Sequence, residues 1–104
     1  MSNKLLELAE KEMLRAEILE ICRQSIPLGA DEEVLLAVLR KGNLDVTEEY
    51  LKEQLYYLQG KKLVEIQEVR NGVLGIHRMI AKITPEGMDV MEGNAEAKGL
   101  GAGG

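Results

Sequence analysis

The stretch from Thr47 to Gly87 narrows the choice of fold more than any other part of the chain. It opens with an amphipathic run of helix length, Thr47 to Gln59, in which Leu51, Leu55 and Leu58 recur at helical spacing. Thr47 supplies an N-cap, and Glu48 and Glu49 put negative charge in the first turn, where the helix dipole favours it. Gly60 predicts the stop. Two β-type runs follow between Leu63 and Ile83, divided at Asn71-Gly72, the favoured central pair of a type I′ hairpin turn. Thr84-Pro85 then begins a last helix, with a capping residue ahead of a proline whose missing N–H costs little at the first helical position. Met88 and Met91 are placed to close the core.

With Arg70 and Val73 flanking the turn, the predicted register opposes Val64 with Met79, Glu65 with Arg78 and Ile66 with His77. Alternation puts Val64, Ile66, Met79, Ala81 and Ile83 on one apolar face that lies on the helices. Glu65 and Arg78 pair on the other face. Leu63, Gln67, Val69, Leu74, Ile76 and Ile80 also fall there, more apolar than a solvated hairpin needs. Gly75 is positioned to bulge the strand and shift this register.

Upstream, Lys4 to Gln24 keeps helical spacing, with Leu6, Ala9, Met13, Leu14, Ile18 and Ile21 along one broad stripe. Ser2 and Asn3 cap its start, and Ile26-Pro27-Leu28-Gly29 ends it, because proline disfavours a helical predecessor. Leu5 and Leu8 widen the apolar arc beyond what a small domain needs. Two readings stand: this front end projects to meet another surface, or it folds back on its own core. Asp31 to Arg40 is a second helix with an acidic first turn, a basic end at Arg40-Lys41, and Val34, Leu35, Val38 and Leu39 as its buried arc. Gly42 to Val46 forms the turn into the third helix, a helix-turn-helix order by periodicity alone.

A chain of 104 residues with 45% hydrophobic content supports one core. The reading is a single domain over 1–93 with an N-terminal helical extension, followed by a flexible glycine-rich tail over 94–104. Its aromatics are Tyr50, Tyr56 and Tyr57 only, so Leu, Ile, Val and Met must build the interior. Such a core is thin, and a homodimer through the first helix is expected to cover what one copy leaves exposed. The lone Cys22 forms no internal disulfide, no apolar run reaches the roughly 20 residues that span a bilayer, and charges interrupt Met1 to Arg15 too often for a secretion signal. A cytoplasmic protein without membrane contact is expected.

The run Leu51, Leu55, Leu58, Gly60, Leu63, Val64, the hairpin and Ile83-Thr84-Pro85-Glu86-Gly87 resembles the winged-helix superfamily. It is most similar to small bacterial regulators of the MarR and PadR types, in which a strand ending in a hydrophobic-Thr-Pro-x-Gly signature leads into the last helix. The likeness covers about residues 14 to 92. The long first helix and brief tail are also similar, more weakly, to short winged-helix proteins of Mu-like prophages. The resemblance implies a winged helix-turn-helix, mainly α with a small antiparallel β-hairpin, an α+β fold in the order α-α-α-β-β-α.

Relatives of that kind that bind DNA lay the third helix in the major groove and touch phosphates or the minor groove with the wing. By position, the matching face here is Glu48, Glu49, Lys52, Glu53, Tyr56 and Gln59. Three carboxylates beside one lysine oppose a polyanion, whereas DNA readers present Arg, Lys, Asn or Gln. The net charge of −5 points the same way. The wing differs: Lys61, Lys62, Arg70, Arg78 and Lys82 outnumber Glu65 and Glu68. Candidate contacts to double-stranded DNA are therefore Lys52, Tyr56, Lys61, Lys62, Arg70 and Arg78. Candidate contacts to protein are Leu5, Leu8, Leu74, Ile76 and Ile80. The leading expectation is a non-enzymatic, dimeric regulator that approaches DNA by its wing. The alternative is an interaction module, as in a phage or regulatory assembly, whose acidic third helix and apolar wing face meet another protein without DNA.

Catalytic chemistry finds little support. Cys22 and His77 have no spacing that brings them together, and one cysteine with one histidine is too few for a transition-metal site. Glu32-Glu33 and Glu48-Glu49 are explained by helix first turns, and Gly72 and Gly75 lack the strand, helix and lysine of a phosphate loop. Gly103-Gly104 reads as a spacer rather than a conjugation tail. Tyr56-Tyr57 offers a contact pair, with Tyr57 leaning on the core edge and Tyr56 outward, and Met13, Met79, Met88 and Met91 are core fillers first. No cofactor is expected.

Overall fold

The computed structural model describes residues 4–93, so the expected glycine-rich tail lies outside the described residues. Their order is α1 (Lys4–Gln24), β1 (Ala30–Asp31), α2 (Glu32–Lys41), α3 (Glu48–Gly60), β2 (Val64–Asn71), β3 (Ile76–Ile83) and α4 (Pro85–Met91). The fold is α+β, with an antiparallel sheet in which β3 runs between β1 and β2. Among the described residues no helix is long and apolar enough to cross a membrane.

Leucine spacing builds the interior. Ile18, Leu19 and Cys22 of α1, Leu35 and Leu39 of α2, and Leu51, Leu55 and Leu58 of α3 are buried around Val64, Met79 and Ala81 of the hairpin. Three helices start on side-chain caps: Asp31 accepts from the Glu33 N–H at 2.8 Å, Thr47 from Tyr50 at 3.1 Å and Thr84 from Gly87 at 3.0 Å. Caps of this kind contribute about 1 kcal/mol each.

The stripe predicted for α1 is only half right. Leu14 and Ile18 are buried and Ile21 is half-buried, but Leu6, Ala9 and Met13 are exposed, while Arg15, Leu19 and Cys22 turn inward. Leu6, Ala9 and Met13 lie on the side of the helix turned away from the core, so the predicted stripe joined residues of two different faces. On α2, Leu35 and Leu39 are buried, whereas Val34 and Val38 are exposed, because α1, α3 and the sheet cover one side of that short helix only.

The hairpin register is corrected as well. Val64 pairs with Ile83, Glu65 with Lys82, Ile66 with Ala81 and Val69 with Arg78, four residues along β3 from the predicted partners. Asn71 pairs with Ile76, so residues 72–75 form the connection. Asn71 does not enter a two-residue turn; its Oδ1 accepts the N–H groups of Val73 and Leu74, each at 3.1 Å, and Gly75 takes φ 67°. The side chain supplies the turn's acceptor, which competes with the backbone type I′ geometry. A shift by an even number leaves the inner face as predicted, with Val64, Met79 and Ala81 buried and Ile66 and Ile83 half-buried, whereas Leu63, expected on the outer face, precedes β2 and is buried in the core.

α3 ends at Gly60 as expected, but the left-handed residue that closes it comes two positions later. That position is Lys62, at φ 64°, and Leu63 donates its N–H to the Leu58 carbonyl at 3.0 Å. α2 closes the same way, with Asn43 at φ 63° and the Leu44 N–H on the Leu39 carbonyl at 3.1 Å. In both cases the following leucine is swung back toward the core, and it is the landing point of Leu63 that fixes where the chain reverses. A left-handed lysine is unfavourable by about 1 kcal/mol. Lys62→Gly is expected to raise stability by up to about 1 kcal/mol in urea denaturation. An unchanged or lowered midpoint would mean that the lysine side chain contributes stabilisation of its own.

Candidate functional site

The β2–β3 hairpin and the outward side of α3 carry most of the residues singled out for binding. Cross-strand pairing puts Val69 opposite Arg78 and Arg70 opposite His77. Adjacent pairs point to opposite sides of a hairpin, so its two arginines do not share a face. Arg78 is on the outer side with Ile76 and Ile80; Arg70 is on the side of Met79.

Both guanidinium groups are held within the molecule. Arg78 Nε donates to Asp31 Oδ2 at 2.7 Å, not to Glu65 as the predicted register had it. β1 is the reason: Asp31 pairs with Ile80, which puts its carboxylate on the same face as Arg78. The other oxygen of Asp31 caps α2, so one side chain joins the start of that helix to the outer face of the sheet. Arg70 Nη2 donates to Glu68 Oε2 at 2.9 Å, and His77 Nε2 lies 3.5 Å from the same oxygen. Arg70, with His77 beside it, holds the Glu68 carboxyl below the ordinary carboxylate range.

On α3, Lys52 Nζ lies 3.7 Å from Glu48 Oε1, so the single lysine of the acidic face is shared with a carboxylate. Tyr56 is about half exposed, with its hydroxyl 4.0 Å from Met79 Sδ. Lys61 Nζ stands 5.7 Å from the centre of the Tyr57 ring. Lys61, Lys62 and Lys82 are exposed at the foot of the hairpin and form no ion pair among the described residues. Beside them an open cleft is lined by Gln59, Lys62, Glu65, Ile66, Thr84 and Glu86, of mixed charge.

The candidate protein contacts fall on two elements. At the hairpin tip Val73 is 96% exposed and Leu74 69%, with Ile76 and Val69 also exposed; Ile80 is half-buried nearer the foot. On α1, Leu5 is 80% exposed, and Leu8 is also exposed.

Sequence reasoning missed one buried polar cluster. Arg15 lies inside α1's inward arc, its Nε donating to Gln54 Oε1 at 2.7 Å and its guanidinium carbon 3.6 Å from the Tyr57 ring centre. The signal was present: Arg15 precedes Leu19 and Cys22 by four and seven residues, and Gln54 follows Leu51 by three. The cluster pins α1 to α3. Cys22 is fully buried, and burial pushes its thiol up to about 12, far from a nucleophile's range. Among the described residues no group of three or more His, Cys, Asp or Glu side chains is arranged to hold a metal ion. No family model, curated protein or solved structure matches this chain.

Proposed function

We propose that this chain is a winged-helix protein that works as a protein–protein interaction module, with the wing tip as its contact. The winged-helix reading draws on the order α2, α3, β2, β3, α4 and on the Thr84-Pro85-Glu86-Gly87 entry into α4. The observation that carries the interaction reading is the state of the wing: its arginines are already paired with Asp31 and Glu68, while Val73 and Leu74 stand in water. A phosphate would have to draw Arg78 from a carboxylate at 2.7 Å, and Glu48, Glu49 and Glu53 on α3 would repel the same polyanion. Burying Leu74 and Ile76 against a partner, by contrast, gains roughly 1.5–3 kcal/mol for each side chain fully covered.

A titration of labelled random duplex DNA with the full chain, at low and at moderate ionic strength, is expected to show no association. Leu74→Asp and Ile76→Asp are expected to leave the thermal midpoint nearly unchanged and to abolish capture of the protein partner. Captured partner retained by both variants would end the wing-tip reading. One observation favours DNA as the second reading: Lys61, Lys62 and Lys82 form no ion pair among the described residues at the foot of the wing. Salt-sensitive duplex binding, lost when Lys61 and Lys62 become alanine, would establish it.

A further inference from the structure

α1 carries two apolar stripes that point in opposite directions. At about 100° per residue, Leu14, Ile18, Leu19 and Cys22 occupy the arc that faces the core, whereas Leu6, Ala9, Met13 and Ala16 centre roughly 180° away from it. The second stripe therefore is not an overhang of the first, and the chain's own core could not cover it by extending. Its members alternate at intervals of three and four residues, the spacing of a helix-pairing seam. Leu6 and Met13 are more than half exposed, and Ala9 is exposed. The two alanines lower the seam enough for another helix to approach closely.

The charges beside this seam identify its occupant. Glu10 and Glu17 border it on one side and Glu12 on the other; Lys4 and Lys11 fall on the core side of the helix. Farther along the seam side, Arg23 is clasped by Glu20. Self-pairing of the N-terminal half in either direction would set carboxylates against carboxylates, so the dimer through the first helix that the sequence suggested meets repulsion there. We infer that the N-terminal half of α1 docks an amphipathic helix of another protein, one whose apolar seam is bordered by lysine or arginine. This surface is independent of the wing.

The test uses the full chain and two labelled helical peptides of three heptads with leucine seams, one bordered by lysine and its twin by glutamate, followed by fluorescence anisotropy. The lysine peptide is expected to bind and the glutamate peptide not to. Met13→Asp separates docking from bulk attraction. It adds a negative charge, so attraction alone would tighten binding, whereas seam docking loses about tenfold or more. Glu10→Lys with Glu17→Lys is expected to shift preference toward the glutamate peptide, and Leu74→Asp to change nothing. Circular dichroism melts confirm that each variant is folded. Equal binding of both peptides, no binding of either, or unweakened binding by the folded Met13→Asp variant overturns the proposal. So does a dimer in sedimentation that Met13→Asp splits, because a second copy would then fill the seam.

Discussion

Gly87→Ala is expected to destabilise the protein by about 3 kcal/mol, although glycine to alanine within a helix ordinarily stabilises by roughly 0.5–1 kcal/mol. The sign reverses because of what lies beside α4. A Cβ at this position would fall well inside contact distance of the Leu63 carbonyl oxygen and 2.7 Å from Ile83 Cγ1. That carbonyl cannot retreat, because it accepts the Thr84 N–H at 3.0 Å and belongs to a buried leucine. Thr84 Oγ1 in turn donates to the Lys62 carbonyl at 2.7 Å while accepting the Gly87 N–H. The Thr-Pro-Glu-Gly spacing thus has a physical meaning: threonine stitches the start of α4 to the end of α3, and glycine three residues on lets the first turn lie against that backbone. Urea denaturation measures the effect. A loss below about 1 kcal/mol would show that α4 slides aside without breaking these bonds.

Gly29→Ala is expected to cost about 2–3 kcal/mol through a different combination. Gly29 holds φ 87°, and an added Cβ would stand 2.9 Å from both the Ala81 carbonyl oxygen and Ile80 Cγ2. Lys82 Cγ, at 2.7 Å, can swing away; the carbonyl cannot. The damage should be local first. β1 is two residues long, so pushing Gly29 off β3 releases Ala30 and Asp31 and with them the partner of Arg78. Hydrogen exchange should accelerate at the amides that join β1 to β3 before the core opens. Exchange there that matches the parent protein, with an unchanged urea midpoint, would refute this account.

These two glycines also mark how far the sequence could be read. Helix positions were legible because leucine periodicity and Asp31, Thr47 and Thr84 as caps report local physics. The faces of the hairpin were legible for the same reason. Its register was not, since Asn71 can enter a turn with its backbone or cap one with its side chain, and only the pairing of both strands decides. β1 carries no periodicity at all; it exists because a glycine without a side chain lets two residues approach β3. Arg15 was passed over as a charged residue on an amphipathic helix, yet its angular position already put it inside. Of the candidate contacts, exposure at Leu5, Leu8, Leu74 and Ile76 could be anticipated from excess apolar surface. The pairing of Arg78 with Asp31 could not, because it depends on the strand that sequence does not announce.

The two alternating faces of the hairpin have a consequence for how such a molecule can vary. Side chains repeat their direction every second position, so the projection can be lengthened or trimmed by matched pairs of residues while the interior stays sealed. A single inserted residue would instead roll the oily underside of one strand into solvent. The distance to which the tip extends is thereby a property that can be tuned almost separately from the stability of the body that carries it.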